Sequence, residues 1–155
     1  ALNAFDQKVA ALARAIAAAD AHRSGLGERL PFLEAAVLSV PKVDESALAE
    51  LSAIKAALRE LNETLNGDET MTKYEGQARM SLKGRTDLIT SSLWTTTSGP
   101  TGTYQRAYEE AHASFGKALA DLRAVHDRIA ALETRLEQQG APYTPGRMPV
   151  WTDEK

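Results

Sequence analysis

The sequence predicts an all-α fold, an elongated antiparallel helical bundle with two long and two shorter helices and an extended Pro/aromatic C-terminal tail. Three observations lead there. Ala and Leu supply 27 and 18 of the 155 residues, while aromatics make up only 6%, a bias that favours helix because Ala loses no rotamer freedom there and Leu very little. Apolar side chains recur at alternating spacings of three and four over most of the chain, the spacing of one helix face. Turn-forming residues gather at a few places, which divide the chain into four helical segments, with a bundle over 1–140 and a tail over 141–155.

The first segment carries Leu2, Phe5, Val9, Leu12, Ile16 and Ala19, continued in phase by Leu26, Leu30, Leu33 and Val37. Only Arg23 interrupts the stripe. A register that survives Gly25, Gly27 and Pro31 points to one long helix ending before Pro41; the competing reading breaks it at Ser24–Gly27. Arg14 and Arg23 must each reach solvent or a carboxylate if this register is right. Asp44 is a candidate N-cap for a second helix, with Glu45 favouring the positive end of its dipole. Its stripe is Ala47, Leu51, Ile54, Leu58, Leu61 and Leu65, and Asn66-Gly67 stops it. Residues 67–80 have no sustained period and read as an ordered, irregular connection.

A shorter helix over about 81–95 follows, with Leu82, Leu88, Ile89, Leu93 and Trp94 as its apolar content. The Thr-rich run 95–103 is a turn by composition, and Thr101 or Thr103 can cap what comes next. The last helix, about 103–139, has the clearest period. Tyr108, Phe115, Leu122, Ile129 and Leu136 fall seven residues apart, and Ala111, Ala118, Val125 and Leu132 form a second row. At about 1.5 Å per residue it spans roughly 55 Å, matching the first helix. The two long helices are expected to run antiparallel, flanked by the shorter pair.

Composition excludes several functions. Eighteen basic against 21 acidic residues, net charge −3, give no general drive toward nucleic acid or an anionic membrane. The absence of cysteine removes disulfides, thiolate catalysis and Cys-ligated zinc. No stretch has the roughly 20 apolar residues of a membrane span, and the N-terminus shows no signal-peptide pattern; it reads as the start of a fragment inside a helix.

Chemistry-bearing motifs are sparse. His112 and His126 lie roughly 21 Å apart along one helix, so they cannot share a metal. Glu109 and His112 have the Glu-x-x-His spacing of di-iron bundles, but no second copy exists. Glu50, Glu60, Glu63, Asp121, Glu133 and Glu137 lie beside the heptad rows, where carboxylates ordinarily solvate a helix. Lys73, Arg79, Lys83 and Arg85 read as a solvated loop and helix entrance in preference to an anion site. No phosphate-binding loop, dinucleotide motif or nucleophile elbow occurs, so no catalytic, cofactor or metal residue is assigned.

The tail, residues 141–151, combines three prolines with Tyr143 and Trp151. Prolines lower the cost of ordering an extended segment, and the aromatics bring large contact areas. Either the tail packs on its own bundle, with Tyr143 and Trp151 as anchors and Trp94 as a neighbour, or it is presented to a partner. Trp94, Tyr143, Pro145, Arg147 and Trp151 are the candidate partner contacts.

Ser92-Leu93-Trp94, Gly99-Pro100-Thr101-Gly102-Thr103, Tyr108-Glu109 and Gly140-Ala141-Pro142-Tyr143-Thr144-Pro145-Gly146-Arg147 together resemble the C-terminal helical region of large bacterial sortilin-like β-propeller proteins, commonly labelled glycosyl hydrolases. The match is best over about 91–151, with a fainter echo at Leu65-Asn66-Gly67-Asp68. The proline-rich connection expected after the second helix is missing from 73–85. The resemblance implies an extracellular, cell-surface or periplasmic protein whose propeller, with any glycan site, lies upstream. It carries no catalytic residue onto this chain. The expectation is therefore a non-catalytic accessory module that packs, spaces or assembles a larger exported protein, its partner an upstream β-propeller domain or another chain. The alternatives are a free-standing module that self-associates into a homo-oligomer, and a metal- or ligand-binding bundle enzyme around Glu109 and His112.

Overall fold

The computed structural model describes residues 2–68, 80–95 and 101–153. The described residues form four helices: α1 (Leu2–Ser39), α2 (Glu45–Asn66), α3 (Leu82–Thr95) and α4 (Gly102–Gln138). They pack as an all-helical bundle with two long members. α1 runs unbroken through Gly25, Gly27 and Pro31. The missing Pro31 donor falls on an exposed part of the helix, where water can replace it. Arg14 is exposed, and Arg23 bonds Asp20 at 2.8 Å, so the register holds.

Asp44 caps α2 as its position suggests. Its Oδ1 accepts from the backbone N–H groups of Ser46 at 3.0 Å and Ala47 at 3.3 Å, satisfying donors the helix leaves open. Gly67 ends α2 at φ 87°, its N–H donating to the Glu63 carbonyl at 2.9 Å. Thr101 occupies the N-cap position of α4 without a side-chain cap bond. At the other end of α4, the N–H of Gly140 bonds the Glu137 carbonyl and that of Ala141 bonds the Leu136 carbonyl at 2.9 Å. Gly140, at φ 89°, makes this paired ending sterically available.

The direction of the helices differs from the expectation in one respect: the two long helices run parallel. Phe5 meets Tyr108 with ring centroids 5.8 Å apart, His22 meets His126, and Arg29 meets Glu133, so the contacts climb both helices together. Against them α2 runs in reverse, with Lys55 on Glu34, Asn66 on Asp20 and Arg128 on Glu50. α3 also runs in reverse, with Arg85 on Glu110 and Ile89 beside Phe5 and Val9.

The reason is that α2 and α3 are laid end to end. A Cβ added to Gly67 would touch Ser81 at 3.6 Å, so the end of α2 lies beside the residue that precedes α3. At about 1.5 Å per residue, α2 and α3 cover about 33 and 21 Å, together matching the long helices. Among the described residues the cross-section therefore contains three helices, up, down and up, with the middle one made of α2 and α3. The irregular connection expected at 67–80 lies mostly outside the described residues.

The heptad rows build the core. Leu33, Val37, Ala47, Ile54, Ala111 and Ile129 are fully enclosed, along with most of the other row positions. A smaller group at the α3 end comprises Phe5, Val9 and Ile89, with Tyr104 and Tyr108 against it. Leu88 and Trp94, counted as apolar content of α3, point outward, and Thr86 takes the buried position, bonding the Lys83 carbonyl at 2.9 Å.

Candidate functional surface: an apolar end and a pinned tail

The turn between α1 and α2, the start of α2 and the end of α4 meet at one end of the bundle. Asp44 ties them: it accepts from Arg135 of α4 and, at 3.0 Å, from Gln139. These donors, led by Arg135, hold its carboxyl well below the usual carboxylate range. Nearby, Arg128 grips Glu50 with both arms at 2.7 and 3.1 Å, which lowers the Glu50 pKa against a smaller opposing effect of burial.

The tail folds back onto this end. Its anchor is Glu133, whose carboxylate is fully buried. One oxygen accepts from Arg29 of α1; the other accepts from the Thr144 hydroxyl at 2.7 Å and lies 3.4 Å from Arg147. Arg147 forks onto Glu137 at 2.8 and 3.0 Å and bonds Thr134 at 2.9 Å. Its guanidinium pKa is raised, chiefly by the Glu137 bond. Within the tail, Gly146 turns the chain at φ 85°, and the Tyr143 hydroxyl donates to the Val150 carbonyl and accepts from its N–H.

These contacts revise several sequence-level readings. Glu133 is no solvated flank carboxylate: it is buried and holds three groups in place. The tail is fastened by Ala141, Thr144 and Arg147, not by the expected aromatic anchors. Tyr143 is half exposed, and Trp151 and Trp94 are each 87% exposed. Trp94 is not a neighbour of the tail, because α3 ends beside the start of α1 while the tail lies at the opposite end. Pro145 is exposed, and Arg147 is occupied within the chain.

Among the large apolar side chains left exposed, Phe32, Leu38, Val43 and Leu48 belong to this same end, as do Tyr143, Met148, Val150 and Trp151 of the tail. Leu38 keeps 62% of its surface and Phe32 51%. Only Met80, Leu88 and Trp94 among the described exposed apolar residues lie elsewhere.

Two hollows lie among the described residues. One, about 880 Å³, lies among α2, α3 and α4 with Asp68 and Met80 at its edge, the residues that flank 69–79. Lys73 and Arg79 lie outside the described residues, and Arg85 pairs with Glu110 at 3.2 Å. The other is an apolar groove of about 460 Å³ along the α1/α4 seam, lined by Ala15, Ala18 and Ala19 of α1 and by Phe115 and Leu122 of α4. His22 and His126 stand in it, with His22 Nε2 at 3.1 Å from His126 Nδ1. Glu109 and His112 are exposed, and the His112 ring tilts against Tyr108 at 5.9 Å. Among the described residues, no three His, Asp or Glu side chains form a metal-binding group, and no helix is long and apolar enough to cross a membrane.

The sequence reading missed the His22–His126 pair and the role of Glu133. Comparison of the chain with protein-family profiles, curated proteins and solved structures finds no match in any of the three.

Proposed function

We propose that the chain is a non-catalytic helical module that packs against, spaces or assembles a larger protein through the apolar end of its bundle. The larger protein is an exported β-propeller polypeptide of the kind its C-terminal residues resemble. The observation that carries the reading is the collection of exposed apolar side chains at one end, joined there by a tail that Glu133 and Arg147 hold in place.

Burying a Leu, Phe or Val side chain yields about 1.5–3 kcal/mol, and Trp and Tyr are the residues that most often anchor interfaces. A pinned tail presents Met148, Val150 and Trp151 already ordered, which reduces the entropy lost on association. The rigid rod behind it, about 55 Å long, sets the distance between whatever meets its two ends.

The test is peptide mapping of the polypeptide from its natural source, combined with chemical cross-linking. The reading expects peptides preceding Ala1 that form propeller strands, and cross-links from them to the 38–48 or 143–151 region. Cross-links only between copies of this chain, with a concentration-dependent mass, would instead establish the self-associating module.

A further inference from the structure

The chemistry that the proposed packing role leaves unused is the pair of imidazoles on the α1/α4 seam, and we infer that His22 and His126 form a two-nitrogen site for a divalent transition-metal ion, one that clamps the two long helices together. His22 Nε2 and His126 Nδ1 are 3.1 Å apart. An ion bound at about 2.0–2.1 Å by two imidazoles, at an angle between about 90° and 109°, requires its nitrogens about 2.8–3.4 Å apart. The observed separation falls within that window.

The pair is held by two rigid helices in parallel register, which Phe5–Tyr108 below and Arg29–Glu133 above both fix. The nitrogens therefore approach without a loop having to move. With no ion bound, one imidazole donates its N–H to the other. Binding requires that this proton move to the remote nitrogen of the same ring and that both rings turn, so that the two lone pairs converge on one point beside the N···N line. Water fills the open coordination positions, since His22 is exposed and His126 partly so.

Imidazole suits copper(II), nickel(II) and zinc, and the Irving–Williams order places copper first. The groove's Arg123 carries the same sign of charge as the ion, which weakens binding and makes a prediction of its own. The site stands apart from the apolar end, so its failure leaves the docking proposal untouched.

The experiment is calorimetric titration of the folded chain with copper(II) and with zinc at neutral pH, alongside thermal denaturation. One equivalent should bind, copper more tightly than zinc, and Tm should rise with ion concentration because the ion joins helices only the folded state aligns. His22→Gln and His126→Gln should each weaken binding on the order of a hundredfold, the gain from holding two ligands in one frame, and abolish the Tm rise. His112→Gln, on the exposed face of α4, should change neither, and Arg123→Gln should tighten binding. Copper electron paramagnetic resonance should report two coordinating nitrogens in the parent chain and one in each single variant. Absence of saturable one-to-one binding, or affinity equal to the parent's in His22→Gln or His126→Gln, would overturn the site.

Discussion

Replacing Glu133 with Gln tests how the tail is held. The carboxylate serves Arg29, Thr144 and Arg147 from a fully buried position. Glutamine preserves the shape and one neutral bond to Thr144 but removes the charge that both guanidinium groups face. Hydrogen bonds to charged groups contribute about 1.5–3 kcal/mol each. Arg29 and Arg147 keep 27% and 26% of their side-chain surface, so water can partly recover them and the lower figure applies to each. The expected loss is about 3 kcal/mol, at the lower edge of what a broken buried ion pair costs. In a chain of this size that corresponds to a Tm lower by about 6–12 °C.

The assay is thermal denaturation followed by circular dichroism, with helix content at 20 °C as the control for folding, paired with limited trypsin digestion at Arg147. A tail loosened by about 1.4 kcal/mol opens about tenfold more often, so cleavage there should accelerate by at least that factor. A Tm change below about 2 °C with unchanged cleavage would refute the view that Glu133 pins the tail.

Other outcomes follow from the same geometry. The Asp20, Asp44 and Glu50 carboxyls are all held below their ordinary values. At Asp20 burial is the largest single effect and raises the pKa, but the bonds from Arg23 and Asn66 and the charges of Arg23 and Lys83 together outweigh it. Asp44 is lowered chiefly by Arg135 and Glu50 by Arg128. Groups with depressed folded pKa stabilise fully above their unfolded values, near 4, and lose that contribution as pH falls through the folded ones. Urea midpoints should therefore be flat from about pH 5 to 7 and fall below about pH 4, and in Arg135→Gln the Asp44 carboxyl should titrate at higher pH by carbon NMR. Gly25→Ala should raise stability by about 0.5–1 kcal/mol, because an added Cβ meets nothing in the middle of α1. Gly67→Ala should lower it by about 1–3 kcal/mol, because φ 87° with ψ 168° is open essentially to glycine alone; denaturant midpoints measure both. Ile129→Ala, at a fully enclosed position, should cost about 2–5 kcal/mol in the same assay.

The helices were legible because their signals are local. The stripe Ala47, Leu51, Ile54, Leu58, Leu61 and Leu65 states which face is buried, and each of those residues is in the core. Asp44 and Gly67 mark ends through bonds made within a few residues. The continuity of α1 through two glycines and a proline was legible for the same reason, since the apolar register on either side never shifts phase.

What is not local could not be read. A heptad row is indifferent to the direction of its neighbour, so the parallel relation of α1 and α4 depends on α2 and α3 following one another end to end. That juxtaposition is fixed where Gly67 meets Ser81, which no periodicity reports. The position of His22 beside His126 inherits the same uncertainty: in the antiparallel arrangement they would lie far apart, and only the parallel register pairs them. Glu133 looked like a flank carboxylate because the residues that cover it, Thr144 and Arg147, come from beyond the helix. The exposure of Tyr143 and Trp151 follows from a tail anchored by its small and charged residues.

Hydrogen exchange of the whole polypeptide from its natural source, compared with the 155-residue chain alone, decides whether the apolar end is a docking surface. The packing role predicts slower exchange in the whole polypeptide around residues 38–48 and 143–151, with the middle of the bundle unchanged. Equal exchange at that end in both samples would contradict it.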